Sequence, residues 1–148
     1  MEAVLFIGVP GSGKSSFFKE RLFNSHVRIS LDLLRTRHRE KRLLDLCLAT
    51  EQRFVIDNTN PAKQERFAYI EAAKANRFTI TGYYFCSKVE ECLRRNAARP
   101  DDQRVPDVAI LSSAKKLELP TFDEGFDQLF YVRLLEGGFT VDGWRDDV

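Results

Sequence analysis

The 148-residue chain lacks most features that mark membrane, secreted and metal-centred proteins. No apolar stretch approaches the roughly 20 residues that span a bilayer, so no membrane partner is expected. No basic n-region or small-residue cleavage site precedes the first apolar run. A cytoplasmic, intracellular location is therefore expected. Cysteine is scarce: Cys47, Cys86 and Cys92 form an odd set without CxxC spacing. That pattern suits reduced thiols filling a core, not a disulfide framework. Only His26 and His38 could join them at a metal, too thin a donor set for a zinc site. Neither sign of charge dominates. The 23 Lys and Arg residues against 22 Asp and Glu leave a net charge of +1, which neither demands nor excludes a nucleic-acid partner. Internal repeats and low-complexity linkers are missing too. The composition is that of a globular chain, so residues 1–148 are expected to form a single domain.

What is present alternates. Apolar strand candidates lie at 3–8, 27–30, 53–57, 78–85 and 128–134, and helical patterns at about 14–23, 31–51, 61–75, 87–97 and 106–117. This βαβα order predicts a mainly parallel sheet of about five strands with helices on both faces. Ser87 and Glu90 have capping-box spacing. Asn60 is expected to cap a helix in which Pro61 takes the first position, and Pro106 to open another.

The strongest local signal is Gly8-Val9-Pro10-Gly11-Ser12-Gly13-Lys14-Ser15. It fits G-x-x-x-x-G-K-[ST] at every fixed position, between a strand candidate and a helical run. Small residues let backbone N–H groups face a polyphosphate, and the following helix N-terminus adds partial positive charge. Gly8, Pro10, Gly11, Ser12, Gly13, Lys14, Ser15 and Ser16 are the candidate nucleotide-binding set. Lys14 is expected on the β- and γ-phosphates and the Ser15 hydroxyl on Mg²⁺.

Further candidates lie downstream. Asp32 follows the second strand candidate, at the carboxyl end where ligands of parallel sheets bind. A helix starting near Ser30 would put Asp32 and Arg35 on one face at i,i+3 spacing. The carboxylate could take a proton from an attacking hydroxyl while the guanidinium orients it. A helix-favouring Asp in a surface salt bridge would use the same two residues. Asp57 ends an apolar strand candidate, the arrangement that supports Mg²⁺ from its second shell or through water. Arg95 and Arg99 are i,i+4 and would face the polar segment 98–105, a lid or a solvated connection. Arginines there could fork onto the transferring phosphoryl oxygens. The basic run 35–42 includes Arg37 and Arg39, which suit the phosphates of a polynucleotide or an exposed helix face equally well. The tail from Glu118 on is mostly acidic. Tyr83, Tyr84 and Phe85 are assigned to the core, and His38 to the surface.

Taken together, these motifs resemble the P-loop kinase domain of the 5′-hydroxyl polynucleotide kinases of phage and animal end-healing enzymes. The resemblance spans nearly the whole chain. It rests on Gly8–Ser15, on Ser30-Leu31-Asp32-Leu33-Leu34-Arg35, and on Ile56-Asp57-Asn58-Thr59-Asn60-Pro61. It continues through Arg95-Asn96-Ala97-Ala98-Arg99, Val105-Pro106 and Leu119–Phe126. It implies an α/β P-loop NTPase fold of the nucleoside-monophosphate-kinase type, with a lid at about 95–105. It also implies transfer of the γ-phosphate of ATP or another NTP, with Mg²⁺, to the 5′-OH of DNA or RNA. In that reading Asp32 is the general base and Arg35 contacts the acceptor. Lys14, Arg95 and Arg99 carry charge at the transferring group. Arg37 and Arg39 bind the strand, and Val105-Pro106 lies near the donor base. The related enzymes carry a phosphatase domain for which this chain has no room. A phosphatase, phosphodiesterase or ligase partner or fused domain is therefore expected in nucleic-acid end healing. Two alternatives share the P-loop: a kinase for a metabolite or nucleoside hydroxyl, and a non-catalytic NTP-sensing module. The Asp32/Arg35 pair speaks against the sensor, which needs no acceptor-side base.

Overall fold

The computed structural model describes residues 1–145. Its six-stranded sheet has the order β2-β3-β1-β4-β5-β6. The strands are β1 (Glu2–Ile7), β2 (Val27–Ile29), β3 (Phe54–Ile56), β4 (Thr79–Phe85), β5 (Gln128–Leu135) and β6 (Gly138–Gly143). The first five are parallel, and β6 returns antiparallel on β5. The helices are α1 (Lys14–Arg21), α2 (Leu31–Leu34), α3 (Arg37–Ala49), α4 (Lys63–Ala75), α5 (Val89–Ala97) and α6 (Asp107–Lys116).

The near-continuous apolar run of β1 follows from its central place. Ala3, Leu5 and Ile7 pack toward α3 and α4, while Val4 and Phe6 pack against Phe17, Phe18 and Leu22 of the α1 side. A strand buried on both faces has no polar side to show. On the α1 face, Phe6, Phe17 and Phe85 meet edge to face with centroids 5.0–5.8 Å apart. Tyr84 and Phe85 are buried core residues, and Cys47, Cys86 and Cys92 are free thiols. No helix among the described residues is long and apolar enough to cross a membrane.

Several local expectations give way to tertiary contacts. The single helix expected over 31–51 is two, because Arg35 takes φ 74° and breaks the chain between α2 and α3. The sheet gains a sixth strand through the Glu136-Gly137 turn, where Gly137 has φ 90°. Gly-containing two-residue loops are a hairpin signal that the acidic tail obscured. Ser87 caps nothing; its hydroxyl donates to the Phe85 carbonyl and accepts from the Val9 N–H. Asn60 does not cap α4 either, whose N-cap is Ala62. Instead its side-chain amide donates to the Phe6 carbonyl at 2.8 Å, pinning the β3 loop to β1. Pro106 stands at the N-cap of α6 and Asp107 begins the helix.

The segment 119–126 has a structural task. Arg66 of α4 is fully buried and makes a forked pair with Glu124 at 2.7 and 3.1 Å. Its remaining donor reaches the Asn60 and Pro61 carbonyls. A buried guanidinium is tolerated when its donors are filled in this way.

Candidate active site

The phosphate loop joins β1 to α1 at the carboxyl edge of the sheet. Gly11 and Gly13 have φ of 87° and 101°. A Cβ at Gly11 would also stand 2.8 Å from the Cys92 carbonyl oxygen. Both positions need glycine for conformation, and Gly11 needs it for space as well. The Gly8 N–H donates to the Thr59 carbonyl at 3.0 Å, tying the loop to the chain leaving β3. Pro10 is partly buried beside Gly11. Ser12 is buried, and its hydroxyl has no hydrogen-bond partner among the described residues. A buried orphan hydroxyl is costly unless a ligand satisfies it. A glycine cradle lined by that hydroxyl and by backbone N–H groups fits a polyphosphate.

Lys14 lies over this loop. Its Nζ donates to the Gly8 and Val9 carbonyls at 2.9 and 3.0 Å. Burial pushes its ammonium down to about 8, with the Asp57 carboxylate opposing the shift. The Ser15 hydroxyl donates to Asp57 Oδ2 at 3.2 Å. A hydroxyl and a carboxylate in contact beside a phosphate cradle are an oxygen donor set suited to Mg²⁺.

Arg28 was missed from the sequence. It projects from β2, and its Nε donates to Asp57 Oδ2 at 2.7 Å while Nη2 donates to Ser15 Oγ at 3.2 Å. The Asp57 side chain is 1% exposed and Arg28's is 27%, so this cation offsets a buried carboxylate. The available signal was a charged residue between Val27 and Ile29 in a strand expected to be buried. Such residues need partners.

Asp32 and Arg35 line a cleft of about 840 Å³ together with Ser15, Ser16, Arg28 and Arg99. Both are exposed, and neither side chain makes a hydrogen bond or ion pair among the described residues. The expected shared helix face is replaced by a sharper device. Asp32 is on α2, and Arg35, just past its end, is turned by its positive φ. The start of α2 is held by Asn58, whose Oδ1 accepts from the Leu31 N–H at 3.0 Å.

The paired projection of Arg95 and Arg99 does not form. Helix α5 ends at Ala97, so Arg99 falls outside it. Arg95 instead donates to the Gly11 carbonyl at 3.1 Å and pairs with Glu91. Arg99 enters the cleft with Asp102, Gln103 and Arg104 from the 98–105 segment. Asn96 clamps that segment's far end, donating to the Val105 carbonyl at 2.6 Å and accepting from its N–H at 3.0 Å. The predicted strand-binding residues Arg37 and Arg39 lie outside the cleft. Arg37 bonds Glu40 and Tyr69, and Arg39 reaches the Leu34 carbonyl.

The model of the AAA domain family matches residues 35–120, more than half of the chain. The chain belongs to the AAA domain family. The matched span holds Arg35, Asp57, Arg95 and Arg99, and the phosphate loop precedes it. Within this family the sheet order and phosphate loop make a kinase-like P-loop fold. A gluconokinase from Sinorhizobium meliloti 1021 shares the fold with a TM-score of 0.61 at 16% identity, over 89% of this chain and 82% of that one. The chain is also similar to a bifunctional polynucleotide phosphatase/kinase from Schizosaccharomyces pombe. The two are 29% identical over 129 residues, covering 84% of this AAA domain chain and 32% of that protein. A putative bifunctional polynucleotide phosphatase/kinase from Acanthamoeba polyphaga mimivirus is 30% identical over 135 residues, covering 86% of the chain and 32% of the relative. The chain thus spans about a third of the length of these curated relatives.

Proposed function

We propose that this protein transfers the γ-phosphate of ATP or another NTP to the 5′-hydroxyl end of DNA or RNA. The observation that carries the reading is an uncommitted carboxylate, Asp32, beside an uncommitted guanidinium, Arg35, in the same cleft as Ser15. An NTP sensor has no use for that pair. The two relatives' names supply the polynucleotide acceptor.

The phosphate loop N–H groups, the Ser12 hydroxyl and Lys14 hold the donor's phosphates. Ser15 and Asp57 hold Mg²⁺, which when bound offsets charge on the phosphates. Arg35 orients the acceptor hydroxyl toward the γ-phosphorus. The oxygen–phosphorus bond forms as the bond to the β–γ bridging oxygen breaks, and the NDP leaves. The acceptor proton passes to the Asp32 carboxylate. Arg99, entering from a segment that serves as a lid, meets charge on the phosphoryl oxygens. Arg95 steadies the loop through Gly11 and does not reach the acceptor. The strand-binding role expected of Arg37 passes to cations inside the cleft. Arg39, exposed at the start of α3, meets only phosphates farther along the strand. The free thiols fit a reducing, intracellular setting. A phosphatase or ligase acting on the same ends belongs to a companion domain or protein.

Replacing Asp32 by Ala removes the base and should lower turnover of a 5′-OH oligonucleotide by roughly 10²–10⁴-fold with NTP-analogue binding retained. An unchanged rate would overturn the assignment. Labelled phosphate appearing on a sugar or nucleoside but not on the oligonucleotide would move the activity to a small-molecule kinase.

A further inference from the structure

Phe23 is 65% exposed, among the most exposed large apolar residues of the chain. Exposed apolar residues standing singly need no explanation, and Leu46, Phe67 and Phe122 are of that kind. Phe23 differs in its surroundings, because it lines the cleft that holds Ser15, Asp32 and Arg35. The wall leading to it is one side of α1. Ser15, Lys19 and Phe23 recur every fourth residue, and the Leu22 N–H still bonds the Phe18 carbonyl at 2.9 Å. Phe23 stands two residues past Arg21, where α1 ends, in the turn that follows Leu22. Phe18 supports it edge to face, with centroids 6.3 Å apart and planes at 69°. Phe18 itself is 7% exposed and belongs to the α1-side core, so the ring stands on a fixed base.

The same cleft carries Lys19 and Arg104 on its walls, both exposed. An aromatic ring with cations beside it is the combination that binds single-stranded nucleic acid. The ring stacks a base, and the cations follow the backbone phosphates. We infer that Phe23 is a stacking platform for a nucleobase at the 5′ end of the acceptor strand. This inference rests on the polynucleotide reading and deepens it, since it gives the strand a contact beyond its reacting hydroxyl. The ligand class it selects is a base-bearing 5′ end, not a bare sugar or a phosphorylated metabolite.

The experiment pairs a protein change with a substrate change. Wild type, Phe23→Ala and Phe23→Trp are each assayed on a 5′-OH oligonucleotide with normal bases and on one abasic at its first two positions. Stacking is lost on alanine substitution by 1–3 kcal/mol per base, so Phe23→Ala should raise KM for the normal strand roughly 5- to 150-fold. On the abasic strand the same change should move KM by less than about twofold, and Phe23→Trp should restore the normal strand. The thermal midpoint and NTP-analogue affinity of Phe23→Ala should stay at wild-type values, because its ring is mostly outside the core. A loss of equal size on both strands would overturn stacking, as would no loss on either. Either result, obtained while wild type phosphorylates the normal strand, leaves the polynucleotide kinase reading standing. A wild type that leaves the normal strand unphosphorylated overturns both.

Discussion

Arg35 and Arg37 flank Thr36, yet they line different cavities. The Arg37 cavity, of about 540 Å³, lies between α3 and α4. Two of its charges, Arg37 and Glu40, are spent on one another. Glu40 is 5% exposed and accepts from the Tyr69 hydroxyl at 2.8 Å, from Asn58 Nδ2 at 2.8 Å and from Arg37 at 3.0 Å. Burial and Glu40 together push the Tyr69 phenol up to about 12. The Arg35 cavity, of about 840 Å³, does the opposite. Among the described residues the side chains of Asp32 and Arg35 make no hydrogen bond or ion pair, and burial disfavours the Lys14 ammonium in the adjoining phosphate loop. One cavity is a strut and the other an open cleft. Asn58 connects them, gripping Glu40 with its amide and the start of α2 with its carbonyl. A site can leave its own charges open because a neighbouring network fixes the backbone that carries them.

The contrast can be broken at several points, beyond the changes at Asp32 and Phe23. The largest effect is expected at Glu40. Glu40→Ala removes the buried acceptor shared by the Tyr69 hydroxyl, Asn58 Nδ2 and Arg37, and should cost about 1–3 kcal/mol of stability in urea unfolding. A loss below about 0.5 kcal/mol, the size of a surface change, would remove the strut from the account.

A pH series tests the open side through Lys14. Its folded value, about 8, lies below the ordinary lysine value of 10.5, so the fold disfavours the charged form. The stability cost is fully present below about 8 and is relieved as pH rises toward 10.5. A bound polyphosphate demands the charged form. Affinity for an NTP analogue should therefore fall above pH 8, by up to about tenfold per pH unit where only the ammonium binds. Titration calorimetry at pH 7, 8 and 9 reads this directly. A flat affinity across the series would mean that Lys14 does not carry the phosphate contact.

Arg37→Ala should do least. Its side chain is 71% exposed, and screening by water holds its pair with Glu40 to at most about 1 kcal/mol. Oligonucleotide KM should not change, since Arg37 lies outside the cleft. A KM increase with unchanged stability would return Arg37 to the acceptor and erase the division between the cavities.

Much of this was legible in the sequence, and its limits follow a pattern. The P-loop, Asp57 at a strand end and the parallel order of strands could be located in advance. Each depends on residues close together in the chain. Helix ends were placed less well. Ser87, Asn60 and Pro106 carry good capping chemistry, but partners on other elements took up Ser87 and Asn60, while Pro106 opened its helix from the N-cap. The break at Arg35 left no warning, because Leu31–Ala49 has helical periodicity on both sides of it. Only a backbone turned to φ 74° separates the two cavities there. Arg28, Asn58 and Phe23 carried weak signals or none, since nothing local distinguishes a cation, amide or ring that will face a site.

By itself the sequence determined the phosphate loop. Glycines at positions that need positive φ, a lysine and a hydroxyl lie within eight consecutive residues, and a buried strand and a helix fix their relative placement. The tertiary structure alone decided which charges stay available. Arg28 meets Asp57 from 29 residues away, Tyr69 meets Glu40 across 29, and Arg95 meets Gly11 across 84. Those pairings depend on sheet order and helix packing, which bring distant side chains within hydrogen-bond reach. Among the described residues they leave the side chains of Asp32 and Arg35 unpaired, open to the cleft.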